Sequence, residues 1–164
     1  RHPHVFNNVD LDMSQFEKTW EELKRDEKGE TSITSGLKRI PNHLPALIKA
    51  EKIQHKAALI GFDWDDIKDV FEKIEEEYKE LLDECKQGNI KYIKEELGDL
   101  LFSIVNLARF LHIDSEEALN LTNQKFINRF EFMEENASKL HKKLEDLTLD
   151  QMEELWQSAK KNKL

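Results

Sequence analysis

The sequence predicts an all-α fold: a helical bundle of about six helices around a central antiparallel hairpin, completed by dimerisation. Three observations carry that expectation. Gly and Pro number only 5 and 3 in 164 residues, about half their usual share of roughly 12%. Val is scarce beside Leu, Glu and Lys, a balance unfavourable to sheets. Apolar residues recur at helical spacing between recognisable cap signals, and no convincing strand or internal repeat interrupts them. Leu, Ile, Val and Phe supply 46 residues, enough for a real core.

The elements follow in order. Ser14 with Glu17 forms a capping-box signature, and Phe16, Trp20 and Leu23 continue a first helix towards Gly29. From Lys28 to His43, Ser, Thr, Gly and Pro accumulate without a period, which predicts a loop. Residues 1–43 therefore read as an N-terminal segment with one helix and a linker, ahead of a domain over 44–164. Pro45 in a first turn and Gly61 as a stop bound a second helix, Leu44 to Ile60. Asp63 is the expected cap of a third, whose stripe of Ile67, Val70, Ile74, Tyr78 and Leu81 ends at Gly88. After Gly88-Asn89 a fourth helix runs to His112. Asp114 with Glu117 caps a fifth through about Asn136, and Thr148 with Gln151 caps a sixth containing Leu155 and Trp156. Ser138 to Leu147 gives no clear reading.

Charge and cysteine content narrow the function. With 25 Lys+Arg against 34 Asp+Glu and no long cationic run, nothing tracks a phosphate backbone, so duplex nucleic acid is not an expected partner. The longest apolar stretch, Leu100 to Leu111, is broken by Ser103, Asn106 and Arg109 and is too short to span a bilayer. No signal peptide is visible. The single cysteine, Cys85, rules out an intrachain disulfide and suits a reducing compartment. The expected location is the cytoplasm. The chain opens Arg1-His2-Pro3-His4 without methionine, as a piece of something longer would.

The fourth helix is apolar on nearly every side from Leu97 to Leu111, which demands a central position. Its polar residues form a narrow line: Glu96, Asp99, Ser103 and Asn106 fall within an arc of about 80°. On the preceding helix Lys73, Glu77, Glu80 and Glu84 share one face. The short break at Gly88 folds the two helices against each other, so two carboxylate pairs can meet. Glu-rich helices are ordinarily just solvated. Of seven Glu-Glu doublets, however, only two reach another acid three residues on: Glu76-Glu77-x-x-Glu80 and Glu95-Glu96-x-x-Asp99. Those two flank the hairpin turn. Like charges about 5 Å apart repel by roughly 3 kcal/mol at an effective dielectric of 20, so the cluster calls for a cation. Hard oxygen donors without Cys or His point to Mg²⁺, with Mn²⁺ as a substitute. A di-iron bundle would need Glu-x-x-His, and no histidine here has that neighbour.

These motifs resemble the all-α nucleoside triphosphate pyrophosphohydrolases of the MazG type. The likeness extends through Leu44-Pro45-Ala46-Leu47, Gly61-Phe62-Asp63-Trp64, Leu97-Gly98-Asp99-Leu100-Leu101-Phe102, Asn106-Leu107-Ala108-Arg109, Lys125-Phe126 with Arg129-Phe130, and Trp156 with Lys160. Asn128 departs from it, standing where many members have an arginine. The opening six residues are similar to the end of the first of two tandem domains, so the resemblance implies a C-terminal catalytic half.

The resemblance also implies Mg²⁺-dependent hydrolysis of nucleoside triphosphates to NMP and pyrophosphate by water attack at the α-phosphorus. It carries over Glu77, Glu80, Glu96 and Asp99 as metal ligands, the four acids that helical geometry selects. Glu76 or Glu95 would deprotonate the water. Lys125 and Arg129, at i and i+4, would contact phosphate, and Trp156 with Lys160 would be a late substrate-site pair. Lys52, Gln54 and Asn106 would touch base or sugar. Plainer roles stand beside these: a basic surface stripe for Lys125 and Arg129, core packing for Trp156 and Trp64, and satisfaction of the buried polar line for Asn106. Homodimerisation is expected on both grounds. The competing functions are a non-catalytic helical dimerisation or regulatory module and a metal buffer without turnover.

Overall fold

The computed structural model describes residues 32–162. Within them lie six α-helices and one 3₁₀ turn: α1 (Ile33–Lys38), α2 (Ala46–Leu59), α3 (Ile67–Gln87), α4 (Ile90–Phe110), α5 (Ser115–Lys139), the 3₁₀ turn Leu144–Asp146 and α6 (Leu149–Lys161). No strand occurs among the described residues, and the all-α expectation holds. The helix expected after Ser14 lies outside the described residues.

The expected loop from Lys28 to His43 is corrected, because it contains α1. Ser32 accepts from Ser35 N at 3.1 Å while Ser35 Oγ accepts from Ser32 N at 3.2 Å. This reciprocal box makes six residues helical despite their loop-like composition. Pro45 is the N-cap of α2 rather than a member of its first turn. That helix stops as expected: Gly61 takes φ +88°, its N–H donates to Ala58 O, and Phe62 N–H reaches Ala57 O, a Schellman end. The cap of α3 is also corrected. Asp66 accepts from Lys68 N at 2.8 Å, whereas Asp63 turns elsewhere.

Gly88 at φ +76° ends α3, and Asn89 caps α4 by accepting from Lys91 N. A connection this short makes α3 and α4 an antiparallel hairpin, and these helices form the most extensive packing among the described residues, with α2 laid against α4. Val70 and Val105 are buried. Thr148 and Gln151 form the capping box expected for α6.

The chain divides into two compact units, one ending at Ser115 and one beginning at Glu116. The first holds the hairpin. The second is built from α5 and α6, with Met133, Ala137, Leu147 and Ala159 buried and an aromatic cluster of Phe126, Phe130 and Trp156 whose ring centres lie 4.9–6.1 Å apart.

Candidate metal centre and adjoining cavity

Glu77 comes from α3, and Glu96 and Asp99 from α4. One carboxylate oxygen of each lies within 4.8 Å of the others. Glu77 is buried, Glu96 half-buried and Asp99 exposed. Glu80 stands outside this close set, yet it is the first acid acting on Glu96. The Glu96 carboxyl is held above the ordinary glutamate range by partial burial, then by Glu80, Asp99, Glu77 and Glu84 in turn. One oxygen of Glu84 is also buried without a hydrogen-bond partner.

Only Lys73 offsets this charge directly, among the ion pairs of the described residues. Its ammonium lies 2.7 Å from Glu77 and 2.9 Å from Glu76, and those bonds hold its pKa well above the usual lysine range. All donors here are hard oxygens, and the carboxylates exceed the local cations. That chemistry fits a divalent ion such as Mg²⁺ and not a soft metal.

A cavity of about 470 Å³ adjoins the cluster, with Glu77, Asp99 and Lys73 on its wall. Phe62 and Trp64 from the loop after α2, Phe102 from α4 and Asn106 also line it. This volume falls in the range of small-molecule sites.

The other expected site residues are distributed as follows. Asn106 lies on the cavity wall, whereas Lys52 is exposed on α2. Glu76 and Glu95 are exposed, paired with Lys73 and, at 4.0 Å, Lys91. In the second unit, Lys125 and Lys160 are exposed, and the Arg129 guanidinium lies 5.2 Å above the half-buried Trp156 ring. Trp156 also packs on Phe126 and Phe130, the packing role weighed for it.

Sequence reasoning missed the partnership of Asp63 with Arg109. Arg109 donates through both terminal nitrogens to the Asp63 carboxylate, 46 residues away. No periodicity links these positions. The unusual sign was an arginine at the end of an otherwise apolar helix.

Fold and site together define the class: an all-α chain whose central hairpin carries a carboxylate cluster suited to a hard cation. The model of the MazG nucleotide pyrophosphohydrolase domain matches residues 66–133, the two hairpin helices and most of α5. Over 160 residues the chain is 46% identical to the nucleoside triphosphate pyrophosphohydrolase/pyrophosphatase MazG of Thermotoga maritima, covering 98% of this chain and 60% of that one. It is 39% identical over 167 residues to the nucleoside triphosphate pyrophosphohydrolase of Escherichia coli K12, covering 100% and 64% respectively. A Bacillus subtilis protein, YabN, is 46% identical over 162 residues, covering 98% of this chain and 33% of its own length. Residues 66–133 are thus a MazG nucleotide pyrophosphohydrolase domain, and the chain is similar along nearly its whole length to these relatives. It spans about three fifths of the length of the first two relatives.

Proposed function

We propose that this chain hydrolyses nucleoside triphosphates to nucleoside monophosphate and pyrophosphate by water attack at the α-phosphorus. The observation that carries the reading is the Glu77, Glu96 and Asp99 cluster on the wall of a cavity large enough for a nucleoside. The names of the Thermotoga and Escherichia relatives support the same reaction. Mg²⁺, or Mn²⁺ in its place, held by these three acids with Glu80 as the fourth, supplies the positive charge that offsets the triphosphate and the departing pyrophosphate.

The chain's own groups do the rest. Glu76 or Glu95 is the proton acceptor for the attacking water, each an accessible carboxylate beside the cluster's own members in sequence. Lys125 and Arg129 donate to phosphate oxygens, with Trp156 and Lys160 completing the substrate site. Lys52 and Asn106 serve the base or sugar. No Gly-rich loop of the Walker type is present to cradle β- and γ-phosphates, which supports cleavage at the α-phosphorus. The acting form is a cytoplasmic homodimer in which the exposed apolar face of the hairpin is covered by a second copy.

The test is a panel of nucleoside triphosphates with Mg²⁺, resolved by product. NMP and pyrophosphate are expected, and reaction in ¹⁸O-water puts the label in the NMP. Orthophosphate with NDP, in the absence of added pyrophosphatase, would overturn the reaction class. No product alongside Mg²⁺-dependent thermal stabilisation would favour a metal buffer. Neither effect would leave the non-catalytic dimerisation module.

A further inference from the structure

We propose that Asp63 and Arg109 are positioning residues that make Asn106 a one-way hydrogen-bond donor inside the cavity, where it reads an acceptor atom on the nucleoside part of the substrate. This inference rests on the functional reading above and adds a specificity determinant to it.

Arg109 lies one helical turn after Asn106 on α4, on the same face. Its side chain is 13% exposed, and its guanidinium is fully committed on the side facing Asp63. Nη1 donates to Asp63 Oδ2 at 3.0 Å and Nη2 to Asp63 Oδ1. Asp63 Oδ1 also accepts from Trp64 N at 2.9 Å, which ties the carboxylate to the loop at the cavity. The remaining donor of the fork, Nε, reaches Asn106 Oδ1 at 3.0 Å.

A free asparagine amide can present either its oxygen or its nitrogen to a ligand. A guanidinium only donates, so the end it faces must be Oδ1. The end left over is Nδ2, with two N–H groups. Nδ2 has no protein acceptor and is not among the fully buried polar atoms lacking a partner in the described residues. Those donors therefore open on the cavity that Asn106 lines.

Two other side-chain donors of the wall are already engaged, while Gln54 Oε1 is a buried acceptor without a partner. Gln54 Nε2 donates to Phe102 O and Ser103 Oγ to Leu100 O, both at 2.8 Å. The wall is otherwise largely apolar, with Phe62 and Trp64 offering aromatic faces. One oriented donor in such a wall favours a ligand carrying a carbonyl oxygen, ring nitrogen or sugar oxygen at that place. A ligand that presents a donor there leaves the Asn106 N–H groups unpaired, which a buried site penalises strongly.

Steady-state kinetics with ATP, GTP, CTP, UTP and dATP, together with calorimetric binding of the corresponding monophosphates, test the proposal. Asn106→Asp keeps the shape and still accepts from Arg109, but has no donor. It is expected to raise KM tenfold or more with kcat within threefold, and to weaken monophosphate binding tenfold. Arg109→Leu should do the same, and the double variant should be no worse than Asn106→Asp alone, since the residues act as one unit. If Arg109→Leu does not fold, Asn106→Asp carries the test by itself.

A rise in KM that differs among the four ribonucleotides assigns the acceptor to the base. A uniform rise assigns it to the sugar, and the two arms are equally in keeping with the proposal. An unchanged KM in Asn106→Asp overturns it, as does a folded Arg109→Leu that binds like wild type. Monophosphate binding weakened by Asn106→Asp in a protein that hydrolyses no triphosphate would sink the functional reading and keep the cavity donor. A wild-type protein that neither hydrolyses nor binds would overturn both.

Discussion

Glu96 is the residue on which the hairpin's negative charge converges. Partial burial and then the acids Glu80, Asp99, Glu77 and Glu84 raise its pKa above the unfolded value. The folded protein therefore binds the proton more tightly than the unfolded chain, and metal-free stability falls as pH rises from the ordinary glutamate pKa through the folded one. Glu96→Gln should flatten that part of the stability profile, measured by melting in EDTA across acidic pH. Asp99 is exposed and has no ion-pair partner among the described residues, so Asp99→Ala removes a proposed ligand and relieves repulsion. It should lose nearly all Mg²⁺-dependent activity yet melt in EDTA at or above the wild-type temperature. Glu77→Ala should behave differently. Glu77 is paired with Lys73 and its side chain is only 8% exposed, so its removal should cost the metal-free protein about 1 kcal/mol as well as activity. Lys125→Ala and Arg129→Ala should each lower turnover by roughly ten- to a thousand-fold, the scale of one lost transition-state donor.

At the scale of the elements, helix ends carry the informative detail. α4 and α5 both finish in Schellman turns whose left-handed position is a histidine: His112 at φ +56° and His141 at φ +54°. Ile113 N reaches back to Ala108 O, and Lys142 N to Ala137 O. A Cβ in that region is strained where glycine is not, so His112→Gly and His141→Gly should each stabilise by about 0.5–1 kcal/mol. Urea unfolding with a raised midpoint and unchanged slope would show it, while a lowered midpoint would mean the imidazoles make compensating contacts. These positions were hidden because glycine is the usual sign of such an end. α1 was hidden for a related reason: its capping box uses Ser35 where the recognised pattern has Glu or Gln. Asp63 resembled a helix cap because Asp three positions later is the same residue type, and only the reach of Arg109 separates them.

For the whole molecule, the decisive feature is apolar surface left uncovered. On α4 alone, Leu97, Leu101 and Ile104 remain 46–49% exposed, although the helix is apolar nearly all round. No described helix is long and apolar enough to cross a membrane. A second copy is the proposed cover, and light scattering at micromolar concentration should give twice 19.4 kDa. Leu101→Glu should shift that mass towards the monomer, because burying an unpaired carboxylate in an interface is costly. A wild-type mass of 19.4 kDa would remove the dimer from the proposal.

The all-α class, the hairpin and its turn, the ends at Gly61 and Gly88 and the box at Thr148 were legible in the sequence by itself. Each depends on residues within a few positions of one another, where helical periodicity and cap chemistry dictate the outcome. The acids were legible for the same reason, as one face of each hairpin helix. Tertiary structure alone decided that Glu77, Glu96 and Asp99 draw close while Glu80 stands outside the tightest set. It alone showed the cavity beside them and Asp63 held by Arg109 across 46 residues. Those relations depend on how far each helix is rotated and displaced against its neighbour, a quantity set by side-chain packing between distant segments and absent from any local pattern.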